Sequence, residues 1–306
     1  MAQTKRDIQA LLQAAGINPL KRFGQNFLID GNLLRKLVAA AEIRPDDVVL
    51  EVGPGTGTLT EELLPLAGHV VAVEIDKGMQ AICRSRFAAA ANFTLLHRDV
   101  LARKSQIAPE VLTTLTARQA ELGGRMMLVA NLPYQVATPL VVELLLGGAV
   151  ISPLCFTVQA EVADRFLAGP GSKDYGPISI FAQALGGLEK IARVPPEAFW
   201  PSPKVDSTML RIDVEPGRAP AAVRAQLTRV VHACFNHRRK TMRASLRAAL
   251  DQQQYQALEA TGIWNFGNRP EQLGVAQWVE LAEWLNRDSG GRHDPGPSSH
   301  GRGAGT

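Results

Sequence analysis

The sequence lacks any uninterrupted apolar stretch near the roughly 20 residues that a membrane-spanning helix requires. Its first residues, MAQTKRDIQALLQAAG, are amphipathic and unlike a secretory signal. A cytoplasmic chain with no membrane partner is therefore expected. Cysteine is scarce as well: Cys83, Cys155 and Cys234 lie far apart, with no CxxC pair and no histidine cluster at metal-ligand spacing. A disulfide scaffold and a zinc site are thereby excluded, and the three are read as buried thiols. The third absence is local. From Pro216 to Leu250 there is no Asp or Glu, while Arg218, Arg224, Arg229, Arg238, Arg239, Lys240, Arg243 and Arg247 all fall there, although the net charge of the chain is only +4. A solvated helix face would mix signs and pair them at i,i+4. A run this one-sided points to a polyanionic partner.

What is present fits a globular chain. With 306 residues and 46% hydrophobic content, one large domain and a smaller one are expected. An arm over residues 1–29 precedes DGNLLRKLVAAAEI, where an Asp30 cap leads apolar positions Leu33, Leu34, Leu37, Val38 and Ala41 at helical spacing. DVVLEVGPG, HVVAVEI, NFTLLHRDV, RMMLVANLP and SPLCFTVQ read as strands, with helical patterns between them. This order implies a Rossmann-like, doubly wound, mostly parallel α/β sheet over residues 30–216. Residues 102–124 read as a helical insertion with the stripe Ile107, Val111, Leu112 and Leu115, and further strands are expected near 188–194 and 206–214. Composition turns helical for a smaller domain over 217–287, and the glycine-rich tail 288–306 is expected to be disordered.

The stretch Glu51-Val52-Gly53-Pro54-Gly55-Thr56-Gly57 follows a core strand and opens a helix, so its glycines allow close approach of a ligand to the backbone. Glu74 ends the next strand 21 residues after Gly53, where a carboxylate can accept both hydroxyls of a ribose. Asp99 ends the third strand, where an acid can accept an adenine amino group. The glycines are spaced GxGxG, unlike a nicotinamide-binding GxGxxG, and no lysine follows as in a P-loop. An adenosine cofactor without phosphate fits better, and S-adenosylmethionine is the expected one.

Beside such a methyl donor, the fourth strand delivers Asn131, Leu132, Pro133 and Tyr134. Methylating an adenine amine is hard because its lone pair is conjugated with the ring. The Asn131 side-chain oxygen and the Pro133 carbonyl are expected to take one amine hydrogen each and turn the lone pair toward the methyl group. Tyr134 is expected to stack on the base, and Phe156 is a candidate for its opposite face or, equally, a core aromatic.

The ordered set Arg22-Phe23-Gly24-Gln25-Asn26-Phe27-Leu28, EVGPGTGTLT, VEID, RDVL, NLPY, FTVQAEVADRF, FWPSPKVDS and FNHRRKT resembles the ribosomal RNA adenine dimethyltransferases, and among them the small-subunit branch. The resemblance runs from about residue 18 to about 285. It implies a class I S-adenosylmethionine-dependent methyltransferase that dimethylates two adjacent adenosines in the 3′-terminal hairpin of 16S rRNA on immature small subunits, acting as a monomer. Carried over, the family's cofactor contacts fall on Asn26, Leu28, Gly53, Glu74, Asp99 and Asn131. Asn26 and Leu28 come from the resemblance alone. Gln135 and Ala160 stand where relatives often carry Asn and Lys. The basic run then becomes an RNA grip of Arg238, Arg239, Lys240, Arg243 and Arg247, with Arg239, Arg243 and Arg247 as one helix stripe. Two alternatives share the fold: a 23S-directed methyltransferase, disfavoured by FWPSPKVDS and FNHRRKT, and a binding module without catalysis, disfavoured by the intact NLPY and acidic pair.

Overall fold

The computed structural model describes residues 3–17, 25–103 and 106–290. Arg22, Phe23, Gly24 and residues 291–306 lie outside them. In chain order the elements begin with α1 (Lys5–Ala14), β1 (Phe27–Leu28), α2 (Gly31–Ala41), β2 (Val48–Val52), α3 (Thr58–Leu63), β3 (His69–Glu74), α4 (Lys77–Arg86) and β4 (Phe93–His97). A short hairpin, β5 (Leu101–Arg103) and β6 (Gln106–Ile107), leads to α5 (Pro109–Leu122), β7 (Met126–Asn131), α6 (Tyr134–Leu146), β8 (Ile151–Gln159) and α7 (Ala160–Leu167). Next come α8 (Pro177–Leu185), β9 (Gly186–Val194), β10 (Phe199–Trp200) and β11 (Ser207–Val214). The described elements close with α9 (Ala221–Phe235), α10 (Met242–Ala249), α11 (Gln252–Ala260) and α12 (Val275–Gly290).

The chain divides into two compact units, one of residues 1–168 and 174–218, the other of 169–173 and 219–306. In the first, the main sheet runs β4-β3-β2-β7-β8-β11-β9. The five strands from β4 to β8 are mutually parallel, and β11 runs antiparallel between β8 and β9. Val48 to Val52 of β2 and His69 to Glu74 of β3 are buried throughout, as strands covered on both faces must be. The chain order moves outward from β2 through β3 to β4, then returns to β7 on the other side of β2. This reversal opens a crevice at the carboxyl ends of β2 and β7, the place where doubly wound sheets bind ligands.

Local sequence explains most boundaries. Asp30 caps α2, accepting from the Asn32 and Leu33 amides at 2.9 and 3.0 Å. Of the expected stripe, Leu34, Leu37, Val38 and Ala41 are buried in the core and Leu33 packs beside them. The insertion differs from its reading: a hairpin precedes the helix, which begins only at Pro109, a residue suited to a first helical turn. Helix α8 has no counterpart in the sequence reading, because PISIFAQAL is apolar on nearly every side and shows little periodicity. Helix α12 includes residues 288–290, which the sequence reading assigns to the tail; the rest of that tail lies outside the described residues. Cys83, Cys155 and Cys234 are buried free thiols. Among the described residues no helix is long and apolar enough to cross a membrane.

At the sheet edge opposite the crevice, the fully buried Asp47 accepts from the Arg44 amide at 2.7 Å, and from the Arg125 amide, Nε and Nη2 at 3.0, 3.0 and 2.6 Å. Burial pushes its carboxyl up, but the Arg125 and Arg44 hydrogen bonds outweigh burial and hold it below its ordinary value. A depressed carboxylate stabilises the fold above its unfolded-state pKa and loses that contribution as pH falls through the folded value. Arg125→Ala is expected to cost about 2 kcal/mol in urea melts at neutral pH, with the deficit shrinking below about pH 4.

Candidate active site

A cavity of about 270 Å³ occupies the crevice, lined among others by Asn26, Leu28, Gly53, Glu74, Asp99 and Asn131. Its floor is the glycine loop. Gly53, Gly55 and Gly57 have φ of +73°, +59° and +82°, a region that L side chains rarely adopt. A Cβ at Gly53 would lie 3.0 Å from Pro133 Cγ, and one at Gly55 would lie 2.7 Å from Phe27 Cε1. The glycines therefore admit the protein's own rings against the loop.

Glu74 ends β3 almost completely buried, accepting from the Gly55 amide at 3.2 Å and the Asp76 amide at 2.9 Å. Burial lifts it to about 7, against those two amides, which pull the other way. Glu51 also lines the cavity; the Thr60 hydroxyl donates to it at 2.6 Å, and burial, with the nearby Glu74 adding to it, lifts it to about 8. Sequence reasoning passed over Glu51 because it sits mid-run in an apolar strand. It also passed over Ile75, a cavity-lining side chain 44% exposed beside Glu74 and suited to the face of a purine. Asp99 is exposed at the cavity edge and accepts from the Leu101 amide at 3.0 Å.

The arm roofs the cavity. Strand β1 pairs with β10, Phe27 opposite Trp200 and Leu28 opposite Phe199, and the Phe27 and Trp200 rings stack at 6.3 Å. The FW of FWPSPK is thus the partner strand of the QNFL segment. Gln25 donates to Asp76 Oδ2 at 3.3 Å, while Asp76 Oδ1 caps α4 at 2.7 and 3.1 Å. Asn26 presents its carbonyl to Asn131 Nδ2 at 3.0 Å. A carbonyl only accepts, so the Asn131 amide nitrogen must face it and Oδ1 must face away.

Two expectations for the NLPY neighbourhood need correction. The Pro133 carbonyl opens α6 and accepts from the Val136 and Ala137 amides at 3.1 and 3.2 Å, so both its lone-pair directions are used by the helix. Among the described residues no turn or loop amide donates to the Leu132 carbonyl, one residue earlier. Phe156 is fully buried, packed edge-on to Phe166 at 5.9 Å, and is not among the cavity-lining residues. Strand β8 is buried on both faces, and Phe156 takes the face toward α7. Tyr134 does line the cavity, its hydroxyl 2.8 Å from Ser207 Oγ on β11. Gln135 lines it too, and the Ala160 amide donates to the Asp206 carbonyl at 2.9 Å.

In the second unit the basic run divides. Arg238 donates to the Lys173 and Ser172 carbonyls at 3.0 and 3.3 Å and lies 3.7 Å from Glu271, so its guanidinium holds a loop. Arg243 pairs with Glu259 at 3.0 Å, and Arg247 lies 5.0 Å over the Tyr255 ring. The expected three-arginine stripe is absent, because α10 begins at Met242 and Arg239 sits in the preceding turn. Its buried stripe is Met242, Ser245, Leu246 and, past the helix end, Leu250. Arg239 and Lys240 are exposed, with no ion-pair partner among the described residues.

A doubly wound sheet with a glycine loop, two buried acids and an NLPY turn at its switch point defines a class I methyltransferase. The chain belongs to the ribosomal RNA adenine dimethylase family, whose family model matches residues 17–287. It is 40% identical to the ribosomal RNA small subunit methyltransferase A of Pseudomonas syringae pv. tomato, over 87% of this chain and 94% of that one. It is 38% identical to the protein of the same name from Kineococcus radiotolerans, over 94% and 92%. The crystal structure of a dimethyladenosine transferase from Plasmodium falciparum shares the fold, with TM-score 0.69 and 23% identity over 85% of this chain and 97% of that one. That of the 23S rRNA methyltransferase ErmE has TM-score 0.60 and 26% identity over 85% and 100%.

Proposed function

We propose that this methyltransferase uses S-adenosylmethionine to dimethylate N6 of two adjacent adenosines in the 3′-terminal hairpin of 16S rRNA, on the immature small subunit. The observation that carries the reading is the orientation of the Asn131 amide, whose oxygen is turned away from Asn26 at the mouth of an acid-lined nucleoside cavity. When bound, S-adenosylmethionine supplies an electrophilic methyl group on a sulfonium. Glu74 takes the ribose hydroxyls, Asp99 the adenine amino group, and Ile75 the purine face. Asn131 Oδ1 and the Leu132 carbonyl accept the two hydrogens of the target amine, which frees its lone pair for in-line attack. Tyr134, pinned through its hydroxyl to Ser207, provides the stacking ring for the target base. The similarity to ribosomal RNA small subunit methyltransferases A supports the choice of substrate.

Small subunits isolated from a strain lacking the modification should take up radiolabelled methyl groups from the cofactor when the purified protein is added. Primer extension should then stop near the 3′ end of 16S rRNA. No uptake by either subunit would sink the enzymatic reading, and uptake by large subunits in place of small ones, with the stop in 23S rRNA, would sink the small-subunit assignment.

Arg239 and Lys240 are the proposed phosphate contacts, with Arg238, Arg243 and Arg247 supporting the surface that carries them. Reversing both to Glu should weaken binding to immature subunits at least ten-fold and reduce the slope of log affinity against log salt by about two. An unchanged slope across a salt series would remove these residues from the interface.

A further inference from the structure

The glycine loop is tied to the N-terminus of the chain by one buried side chain. Gln3 is 5% exposed, and both ends of its amide are used on the loop and the start of α3. Its Oε1 accepts from the Thr56 hydroxyl at 2.7 Å and the Thr58 hydroxyl at 3.1 Å, and its Nε2 donates to the Thr56 carbonyl at 3.2 Å. The donor and acceptor ends cannot be exchanged, because hydroxyls paired to the amide oxygen and a carbonyl paired to the amide nitrogen fix its orientation. Thr56 sits between Gly55 and Gly57, both at positive φ, and α3 has no side-chain cap at Gly57. A loop with so few side chains has many alternative conformations to lose. Arg86 holds the Thr56 carbonyl and Cys83 the Gly55 carbonyl from the α4 side, and Gln3 adds the tie that takes the Thr56 and Thr58 hydroxyls.

The tie has a rigid support. Thr4 and Asp7 form a reciprocal cap at the start of α1, with contacts of 2.7, 2.8 and 3.3 Å, which fixes the residue after Gln3. Ile8 and Leu12 of α1 pack with Phe27, Met79 and Ile82 in one buried cluster, and Trp200 packs against it. Phe27 is the ring against Gly55. The same helix therefore holds the loop from one side through Gln3 and the roof through Phe27.

We infer that Gln3 is a positioning residue for cofactor binding: through Thr56 and Thr58 it holds the glycine loop in the conformation that receives the nucleoside. This rests on the S-adenosylmethionine reading given above. A loop that spends only a tenth of its time in the competent shape raises the apparent Kd ten-fold, while bound cofactor restores that shape. Gln3→Ala should therefore raise the Kd for S-adenosylmethionine, titrated alone by calorimetry, about ten-fold. At saturating cofactor, kcat and the KM for small subunits should stay within about two-fold of the unaltered protein. Thr56→Val removes one of the three bonds, that of the Thr56 hydroxyl to Oε1, from the loop side and leaves Gln3 in place, so it should raise Kd in the same direction by a smaller factor. The double variant should bind no more weakly than the worse single one. Wild-type affinity in both single variants, fully additive losses in the double variant, or a fall in kcat at saturating cofactor would each overturn the assignment. Failure of the unaltered protein to bind S-adenosylmethionine would instead overturn the cofactor reading and this inference together.

Discussion

Asn131→Ala is expected to lower kcat for methyl transfer about a thousand-fold while changing the affinity for S-adenosylmethionine by no more than a few-fold. The reason lies in where the two hydrogens of the target amine go. With Nδ2 committed to the Asn26 carbonyl at 3.0 Å, the side-chain oxygen Oδ1 is turned to accept one of them. The second acceptor is the Leu132 carbonyl, because the Pro133 carbonyl serves the first turn of α6. Neither contact matters much while the amine is flat and conjugated; both strengthen as the nitrogen becomes pyramidal, so their loss falls on kcat. Asn131→Asp tests the orientation separately. It keeps an oxygen for the amine but sets a second oxygen against the Asn26 carbonyl, so it should fail nearly as badly as alanine. More than a tenth of normal single-turnover rate in Asn131→Ala would remove this residue from the chemistry, and full activity in Asn131→Asp would show that the contact to Asn26 is dispensable.

How much of this was legible in the sequence depended on distance along the chain. The glycine loop, the Asp30 cap and Glu74 at the end of β3 are local features, set by φ, capping and strand periodicity within a few residues, and the structure has them where the sequence puts them. Which carbonyl of NLPY is available was not legible, because it turns on whether α6 starts at Tyr134 or one residue later, and helix starts are the least determined part of a pattern. Phe156 was undecidable for another reason: β8 is buried on both faces, so alternation cannot say which face looks into the cavity. The acid-free run misled in part because its counter-charges lie outside it. Glu215, Glu259 and Glu271 reach back to Arg218, Arg243 and Arg238, while Arg239 and Lys240 are exposed with no acidic partner among the described residues. Gln3 was invisible, since its partners are 53 and 55 residues away and a single glutamine before a helix carries no pattern.

S-adenosylmethionine affinity should rise with pH through about 7, with Kd at pH 6 about ten-fold that at pH 8, and Glu74→Gln should abolish the dependence while weakening binding about a hundred-fold. Burial raises Glu74 to about 7, so in the free protein a sizeable share is protonated at neutral pH. A ribose diol donates two hydrogens, and the ionised carboxylate accepts both where the protonated one must give up an acceptor site. Binding therefore draws a proton off Glu74, and affinity grows as pH does that work beforehand. Folding has the opposite sign. Glu51 and Glu74, lifted to about 8 and about 7, keep protons that the unfolded chain has released above about pH 4.5, so cofactor-free stability should decline as pH climbs from about 5 to 8. Calorimetric titrations and thermal melts over the same pH series separate the two, because only the second should respond to Glu51→Gln. A flat Kd for the unaltered protein, or a titration that survives in Glu74→Gln, would mean that another group governs the site, and the buried Glu51 carboxyl facing the same cavity would be the one to replace next.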